Sequence, residues 1–260
     1  MASDSSTARA SEETVTAVPM KVMRTQEEMV DLEREFPEIK DPFFFELARK
    51  ISQRTISDIA AQWAMYKGIE HIVRNRIAGD IVECGVWSGG SMMLAAYALQ
   101  HFGDTTRKLY LYDTFDGMPK PDAIDVDCLG NSALETWQER QDRNTSWGYG
   151  GPEVMVRALL SSTGYPYENM VFVKGMVEDT IPGIFPAHIS MLRLDTDLYG
   201  STYHELLHGY PRLQRGGILI LDDYGYFMGA RQAADQYFEE QKAGIYLNRI
   251  NTSVHIGVKP

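Results

Sequence analysis

Four carboxylates lie directly after two short, largely apolar runs in the second half of the chain. The acids are Asp195, Asp197, Asp222 and Asp223, and the runs before them cover residues 189–194 and 217–221. Such runs, bounded by turn residues, are typical of buried strands in a parallel sheet, whose carboxyl ends meet at the ligand-binding edge. Carboxylates gathered at one edge repel one another unless a cation joins them. The pattern therefore predicts a site for a hard divalent ion such as Mg²⁺.

An Asp at the end of a strand also has an ordinary structural explanation, because it can cap the helix that follows. For any one of these acids alone, capping is the more frequent role. Each helix needs one capping acid, however, and here two acids follow each strand. The pairing favours metal binding over capping.

A second candidate site lies earlier, where a strand at residues 81–84 is followed by a glycine-rich turn and a helix at residues 91–99. Free amides at the start of a helix, next to glycines, can receive a ligand. The next strand, residues 108–112, ends at Asp113, which is placed to accept hydrogen bonds from ribose hydroxyls. Together these features indicate a nucleoside-containing cofactor, either NAD or S-adenosylmethionine.

Two features of this turn favour S-adenosylmethionine over NAD. The glycines lack the G-x-G-x-x-G spacing of dinucleotide-binding turns. Glu83, just before the turn, would repel a pyrophosphate but would suit the ammonium group of a methionine moiety. The turn could also be loop punctuation without a ligand.

The remaining periodicity predicts an α/β fold with a seven-stranded mixed sheet and helices on both faces. Further strands are expected at residues 171–175, 189–195, 217–222, 246–250 and 254–258, the last two as an antiparallel pair. Helices are expected twice between residues 46 and 75, and at residues 153–162, 202–213 and 231–241. We expect a disordered leader at residues 1–19, an N-terminal helical extension at 20–75 and one main domain at 76–260.

Two aromatic segments fall outside this pattern. Residues 116–151 are polar and rich in glycine and proline, and end in the aromatic–glycine segment Trp147 to Gly151. A long irregular insert of this kind is expected to be a lid over a substrate or a disordered segment, although packing onto the core explains it equally well. The three Phe residues at 43–45 are expected to pack onto the main domain or a second subunit, which hints at a homo-oligomer.

Composition excludes several classes of function. The net charge is −11 and no cluster of basic residues is present, which argues against nucleic-acid or anionic-membrane partners. No secretory signal or run of 18 apolar residues is visible, and the two cysteines, Cys84 and Cys128, make no disulfide framework. Cys84 is expected to be a core residue, and a cytoplasmic location is expected.

Five motifs, taken in order, resemble those of the macrocin O-methyltransferase family. They are VECGVWSGG at 82–90, DTFDGMP at 113–119, EDTIP at 178–182, DTDLYGST at 195–202 and DDY at 222–224. The likeness covers about residues 45–260. It implies a class I, S-adenosylmethionine-dependent and Mg²⁺-dependent O-methyltransferase that acts on a deoxysugar hydroxyl of a natural product.

The resemblance also implies a role for particular residues. It assigns the metal ligands to Asp195, Asp222 and Asp223, and the general base to Asp197. It assigns the cofactor contacts to Glu83, Gly85, Ser88, Ser91, Asp113 and Phe115. The insert at 122–151 does not match, so the acceptor sugar is left open.

Alternatives remain for both the base and the activity. His204 or His208, on the following helix, could serve as the base, although a surface or capping role suits them better. A catechol-type methyltransferase would use similar Mg²⁺ chemistry on an aromatic diol. A non-catalytic nucleoside-binding protein and an NAD-dependent dehydrogenase are the other two candidates.

Overall fold

A computed structural model describes residues 32–143 and 146–260. The leader predicted at residues 1–19, and the part of the predicted extension at 20–31, lie outside these ranges. Within them, no helix is both long and apolar enough to cross a membrane.

Seven strands form one mixed sheet, as the sequence predicts. They are β1 Asp80–Cys84, β2 Leu109–Asp113, β3 Met170–Lys174, β4 Ile189–Leu194, β5 Leu213–Leu221, β6 Tyr246–Arg249 and β7 His255–Val258. Their order is β3-β2-β1-β4-β5-β7-β6, and β7 runs antiparallel to both of its neighbours while the other pairs are parallel. The three central strands β1, β4 and β5 therefore end side by side.

Nine α-helices lie in the described part of the chain. They are α1 Leu32–Glu35, α2 Pro42–Ile51, α3 Ile59–Arg74, α4 Gly90–His101, α5 Ala133–Asp142, α6 Glu153–Ser161, α7 Val177–Thr180, α8 Tyr199–Gly209 and α9 Met228–Glu240. Side chains from α2, α3, α4 and α6 form one apolar core with the sheet, and side chains from α7, α8 and α9 form another. Neighbouring strand residues such as Ile81 and Val82 belong to different cores, because successive side chains point to opposite faces. The expected helices on both faces are thus confirmed.

The boundaries predicted around β5 are wrong by several residues. The helix expected at 202–213 is α8, which begins at Tyr199 and ends at Gly209, and β5 begins at Leu213 rather than at 217. Gly217, the first residue of the predicted strand, and Gly216 before it both lie inside β5. Gly216 has φ +77°, and the pairing of β5 with β4 shifts register between Leu213 and Ile218.

The insert at 116–151 is more ordered than the sequence predicts. It contains α5, whose first turn is capped by the Ser132 hydroxyl accepting from the Glu135 amide at 3.2 Å. Trp147 packs on Phe227 near the start of α9, with ring centroids 6.3 Å apart. Ala133 and Trp147 of the insert therefore pack onto the domain, which is one of the expectations, and the role of the insert as a lid stays a prediction. The helix was missed because its residues are mostly polar and carry little apolar periodicity.

The three consecutive Phe residues belong to α2. Asp41 caps this helix by accepting from the Phe43 amide at 3.1 Å, and Pro42 occupies its first turn. Phe44 and Phe45 are 0% and 2% exposed within the chain's own core, and Phe43 stacks on His101. The segment is therefore not an exposed apolar surface, and this corrects the observation on which the homo-oligomer was predicted.

Candidate functional site

The four predicted acids lie together where β4 and β5 end. The sheet hydrogen bonding continues to them, since the amide of Asp195 donates to Cys84 and the amide of Asp222 donates to Leu194, both at 2.9 Å. The glycine-rich turn after β1, here called the β1 turn, packs against the same site, because Gly85 (φ +84°) lies against the Asp195 carbonyl. A Cβ on Gly85 would come within 1.9 Å of that oxygen, so only glycine fits.

Three of the four acids form a compact cluster. Oxygen atoms of Asp195, Asp197 and Asp223 all lie within 4.8 Å of one another. Asp197 reaches this position from a left-handed backbone conformation with φ +66°, which is uncommon for a residue other than glycine. This donor set, all carboxylate oxygen, suits a hard divalent cation.

The fourth acid, Asp222, takes part in a different interaction. Its Oδ1 accepts from Nη2 of Arg193 at 2.5 Å. Nη1 of the same guanidinium pairs with Glu83 and with Asp195, each at 2.5 Å. Arg193 is only 4% exposed, so one buried cation holds three carboxylates from β1, β4 and β5.

Sequence reasoning did not identify Arg193 as a functional residue. Its signal was nevertheless present, because it is the single charged residue in β4, ISMLRL, and precedes Asp195 by two positions. A fully buried Arg is rare unless it is paired. Its planar fork of donors suits simultaneous contacts with several carboxylates.

Burial and mutual repulsion of the acids favour the binding of a proton or a cation by the cluster. Burial raises the pKa of Asp195 and Asp223 well above the ordinary range, and repulsion from the neighbouring acids adds to this although Arg193 opposes it. Burial raises the pKa of Asp197 to about 7, while its hydrogen bond with Asp223 acts in the opposite direction. With a pKa of about 7, Asp197 is partly protonated near neutral pH when no metal is bound.

Glu83 lies in β1, just before the glycine-rich turn, and one of its carboxylate oxygens has no hydrogen-bond partner. The residue is 1% exposed, and burial raises the pKa of its carboxyl to about 7 against the attraction of Arg193. Oε1 pairs with Arg193, whereas Oε2 is buried with no hydrogen-bond partner. An orphaned buried acceptor is costly unless a ligand donates to it, and an ammonium group would do so.

Asp113 already binds protein groups in this structure. Its Oδ2 accepts from the amides of Val86 and Trp87 at 2.7 and 2.8 Å, and its Oδ1 accepts from the Phe115 amide at 2.6 Å. These bonds hold the β1 turn against the turn after β2. The acid expected to bind ribose therefore also fixes the shape of the cofactor turn, a role that the sequence did not indicate.

The other expected cofactor residues surround the same turn. Ser88 is buried, and its hydroxyl donates to the Gly150 carbonyl at 2.6 Å, which attaches the end of the insert to the turn. Phe115 is buried in the core with φ +51°. Ser91 lies in the first turn of α4 and lines a small cavity beside Arg193.

Two further residues at this cavity were missed. Ser57 lies in the loop before α3 and Gln62 in the first turn of α3. Both line the cavity together with Ser91 and Asp222. Gln62 donates to the Ser57 carbonyl at 2.7 Å, but its Oε1 is buried without a partner. The N-terminal helices thus contribute polar groups beside the acid site, which apolar periodicity alone does not reveal.

Glu205 supports the acid turn from the opposite face of the sheet. It is fully buried on α8, and its Oε1 accepts from the Thr196 hydroxyl at 3.0 Å. Burial raises the pKa of Glu205 well above the ordinary range, which favours the neutral acid. The alternative base His204 instead contacts the Ile181 carbonyl through Nε2 at 2.9 Å and packs beside His208.

Comparisons with known proteins agree with one another. A sequence profile of the macrocin-O-methyltransferase (TylF) family matches residues 62–256. The 8-demethyl-8-(2,3-dimethoxy-alpha-L-rhamnosyl)-tetracenomycin-C 4'-O-methyltransferase of Streptomyces olivaceus is 34% identical over 60% of this chain and 57% of its own. The mycinamicin III 3''-O-methyltransferase of Micromonospora griseorubida is 32% identical over 65% of this chain and 64% of its own. The chain thus spans less than two thirds of the length of either relative.

A solved structure extends the comparison to three dimensions. The O-methyltransferase NovP superposes on this chain with a TM-score of 0.69 and 25% sequence identity. The superposition covers 79% of this chain and 82% of that chain.

Proposed function

The chain belongs to the macrocin-O-methyltransferase family, and on this premise we propose that it transfers a methyl group from S-adenosylmethionine to a sugar hydroxyl of a glycosylated natural product. Its sheet and helices have the class I methyltransferase fold that the resemblance implied. The observation that carries the proposal is the compact cluster of carboxylates next to the glycine turn. One relative, whose name gives a rhamnosyl compound as its substrate, supports a glycoside acceptor.

We assign the cofactor to the turn between β1 and α4. The contacts would come from Glu83, Gly85, Ser88, Ser91, Asp113 and Phe115. The support comes from the buried, unpartnered Oε2 of Glu83, which an ammonium group would satisfy. The cofactor, when bound, supplies an electrophilic methyl group.

We assign the Mg²⁺ ligands to Asp195, Asp222 and Asp223. Asp195 and Asp223 belong to the compact carboxylate cluster, and a cation between them would relieve their mutual repulsion. Asp222 pairs with Arg193 through Oδ1, so its membership of the ligand set is the assignment that most needs a test. A bound Mg²⁺ would supply Lewis acidity that orients the acceptor and favours its alkoxide form.

We assign the general base to Asp197. In this scheme, the acceptor hydroxyl gives its proton to the Asp197 carboxylate while its oxygen bonds to the methyl carbon. The carbon–sulfur bond breaks at the same time, and S-adenosylhomocysteine leaves. A pKa near 7 suits this role, because an efficient base titrates close to the working pH.

The first test is an acceptor screen with labelled S-adenosylmethionine, with and without Mg²⁺. We expect labelled methyl transfer to deoxysugar glycosides, and loss of that transfer when EDTA removes the metal. Transfer to phenolic diols instead would support the catechol-type alternative. Cofactor binding with no transfer to any acceptor would support a non-catalytic nucleoside-binding protein, and binding of NAD in its place would support a dehydrogenase.

The second test is the Asp197→Asn variant. We expect a loss of about 10²–10⁴-fold in kcat, because a positioned base typically contributes that much, with cofactor affinity nearly unchanged. The matched variant Asp222→Asn should instead weaken Mg²⁺ binding, measured by calorimetry. If Asp197→Asn loses Mg²⁺ and Asp222→Asn keeps it, Asp197 is a ligand and the base assignment is wrong.

The homo-oligomer and the cytoplasmic location expected from the sequence stay predictions. Light scattering on the purified protein would measure the first directly. Fractionation of the producing cells would test the second.

A further inference from the structure

We propose that Asp125, in the insert between β2 and α6, is a positioning residue that caps α8 and thereby holds the turn bearing Asp197. This inference rests on the proposed function, in which Asp197 is the base. It assigns a role in the reaction to a residue of the insert, whose residues 122–151 matched none of the five motifs.

The geometry of Asp125 is that of a helix cap supplied from far along the chain. The residue is 2% exposed, and its Oδ1 accepts from the Tyr199 amide at 2.8 Å. Tyr199 is the first residue of α8, and the adjacent N-cap, Leu198, has no side-chain capping bond. Helix starts leave unsatisfied amides that carboxylates bind well, and Asp125 fills this role from 74 residues away.

The same stretch of the insert also holds the start of α9. The Met228 amide, at the first position of α9, donates to the Val126 carbonyl at 2.8 Å, and Asp127 forms a β-bridge with Phe227. At the next position, a Cβ on Gly229 would lie 2.2 Å from Oδ1 of Asp125. Glycine there therefore leaves room for the carboxylate between the two helix starts.

These two helices follow the two strands that carry the acids. Asp197 lies two residues before Tyr199, and its φ of +66° is a conformation that persists only when the surrounding structure holds it. The turn that bears Asp197 begins at the end of β4 and ends at the start of α8. The hydrogen bond from the Tyr199 amide to Asp125 fixes the end of the turn at α8.

The insert that supplies Asp125 also reaches the cofactor turn. Gly150, near the end of the insert, accepts from Ser88 at 2.6 Å, and the Met118 amide near its start donates to the Trp147 carbonyl at 2.7 Å. One segment thus contacts both the turn assigned to the cofactor and the helix behind the base. We infer that this arrangement sets the Asp197 carboxylate relative to the transferred methyl group.

The experiment combines hydrogen exchange with steady-state kinetics on Asp125→Ala and Asp125→Asn. Loss of a helix cap should speed amide exchange at residues 196–203 by about 2- to 30-fold in Asp125→Ala. We expect kcat to fall by about tenfold or more, with KM for S-adenosylmethionine within about twofold of the wild-type value. Asn keeps an oxygen that can accept from Tyr199 but loses the second acceptor, which the Asp122 amide uses, so Asp125→Asn should recover part of both losses.

Two further variants keep the test decisive. Asp127→Ala is the control, because that acid bonds Leu129 and Asn131 within its own loop, and both readouts should match the wild type. Gly229→Ala displaces the Asp125 carboxylate from the opposite side while improving helix propensity, so it should reproduce the effects of Asp125→Ala even if that variant folds poorly.

Each outcome supports or overturns a definite statement. Unchanged exchange in Asp125→Ala and Gly229→Ala would overturn the cap. Faster exchange with unchanged kcat would overturn the link to Asp197. If the wild-type enzyme methylates no glycoside, the proposed function fails, while the exchange data still decide whether Asp125 caps α8.

Discussion

At the scale of single residues, the site depends on one buried Arg side chain that pairs with three carboxylates. Arg193 contacts Glu83, Asp195 and Asp222, and so lowers the cost of burying acids that would otherwise repel one another. Burial alone would lower the pKa of Arg193, but the three carboxylates raise it well above the ordinary value, and the guanidinium stays charged. It therefore holds together acids at the ends of β1, β4 and β5.

Replacing Arg193 tests this role. Arg193→Met should lower the free energy of unfolding by about 3–5 kcal/mol, because it leaves buried carboxylates without their counter-charge. Arg193→Lys should recover only part of the loss, since an ammonium cannot reproduce the planar fork. Urea unfolding measures both.

The control for this prediction is Arg143→Met. Arg143 pairs with Glu139 at 3.9 Å on the exposed surface, where such pairs contribute about 0–1 kcal/mol. Similar losses at the two positions would show that Arg193 does not organise the acids.

At the scale of elements, the contact that matters is between the β1 turn and the end of β4. The Gly85 amide donates to the Tyr112 carbonyl at 2.9 Å, and its Cα faces the Asp195 carbonyl. The cofactor turn and the acid turn are therefore directly packed on each other. A change in one backbone must displace the other.

Gly85→Ala should separate these two turns. The new Cβ would meet the Asp195 carbonyl at 1.9 Å, and the residue would also be strained at φ +84°. We expect a loss of stability of more than about 1–2 kcal/mol, the cost of the left-handed conformation alone, together with weaker binding of S-adenosylhomocysteine. Thermal unfolding and calorimetry measure the two effects.

Gly103→Ala is the matched control for the cost of placing a residue other than glycine in the left-handed conformation. Gly103 has φ +81°, and a Cβ there would meet nothing within 4 Å. It should show the strain without the clash and should leave cofactor binding unchanged. Equal effects at both glycines would argue against tight packing of the two turns.

At the scale of the whole molecule, the acids link stability to pH. In the absence of metal, the folded state holds the Asp197 proton up to a pKa of about 7, whereas an unfolded Asp releases it near its ordinary value of 3.8. Between these two values the folded state binds more protons, so the free energy of unfolding should fall as pH rises. Above about pH 7 this decline should level off.

Mg²⁺ should therefore stabilise the protein more at high pH. A cation competes with protons for the same carboxylates, so the increase in Tm on adding Mg²⁺ should be larger at about pH 8 than at about pH 5.5. Differential scanning fluorimetry at both pH values measures this. An equal increase at both, or the same dependence in Asp223→Asn, would mean that the ion binds elsewhere.

The local pattern of the sequence determined a large part of this protein. Alternating and continuous apolar runs identified all seven strands, because burial on a sheet imposes a short period. Acids placed directly after β4 and β5 predicted their meeting at one edge, since the carboxyl ends of parallel strands converge. The motifs around Asp113 and Asp195 identified the family.

Only the tertiary structure decided which partners the acidic side chains contact. Asp222 and Asp223 are adjacent just after β5, yet Asp222 pairs with Arg193 whereas Asp223 joins Asp195 and Asp197. The capping of α8 by Asp125 and the pairing of Glu83 with Arg193 join residues 74 and 110 positions apart. Contacts of that separation are set by how the layers pack, and no local period in the sequence encodes them.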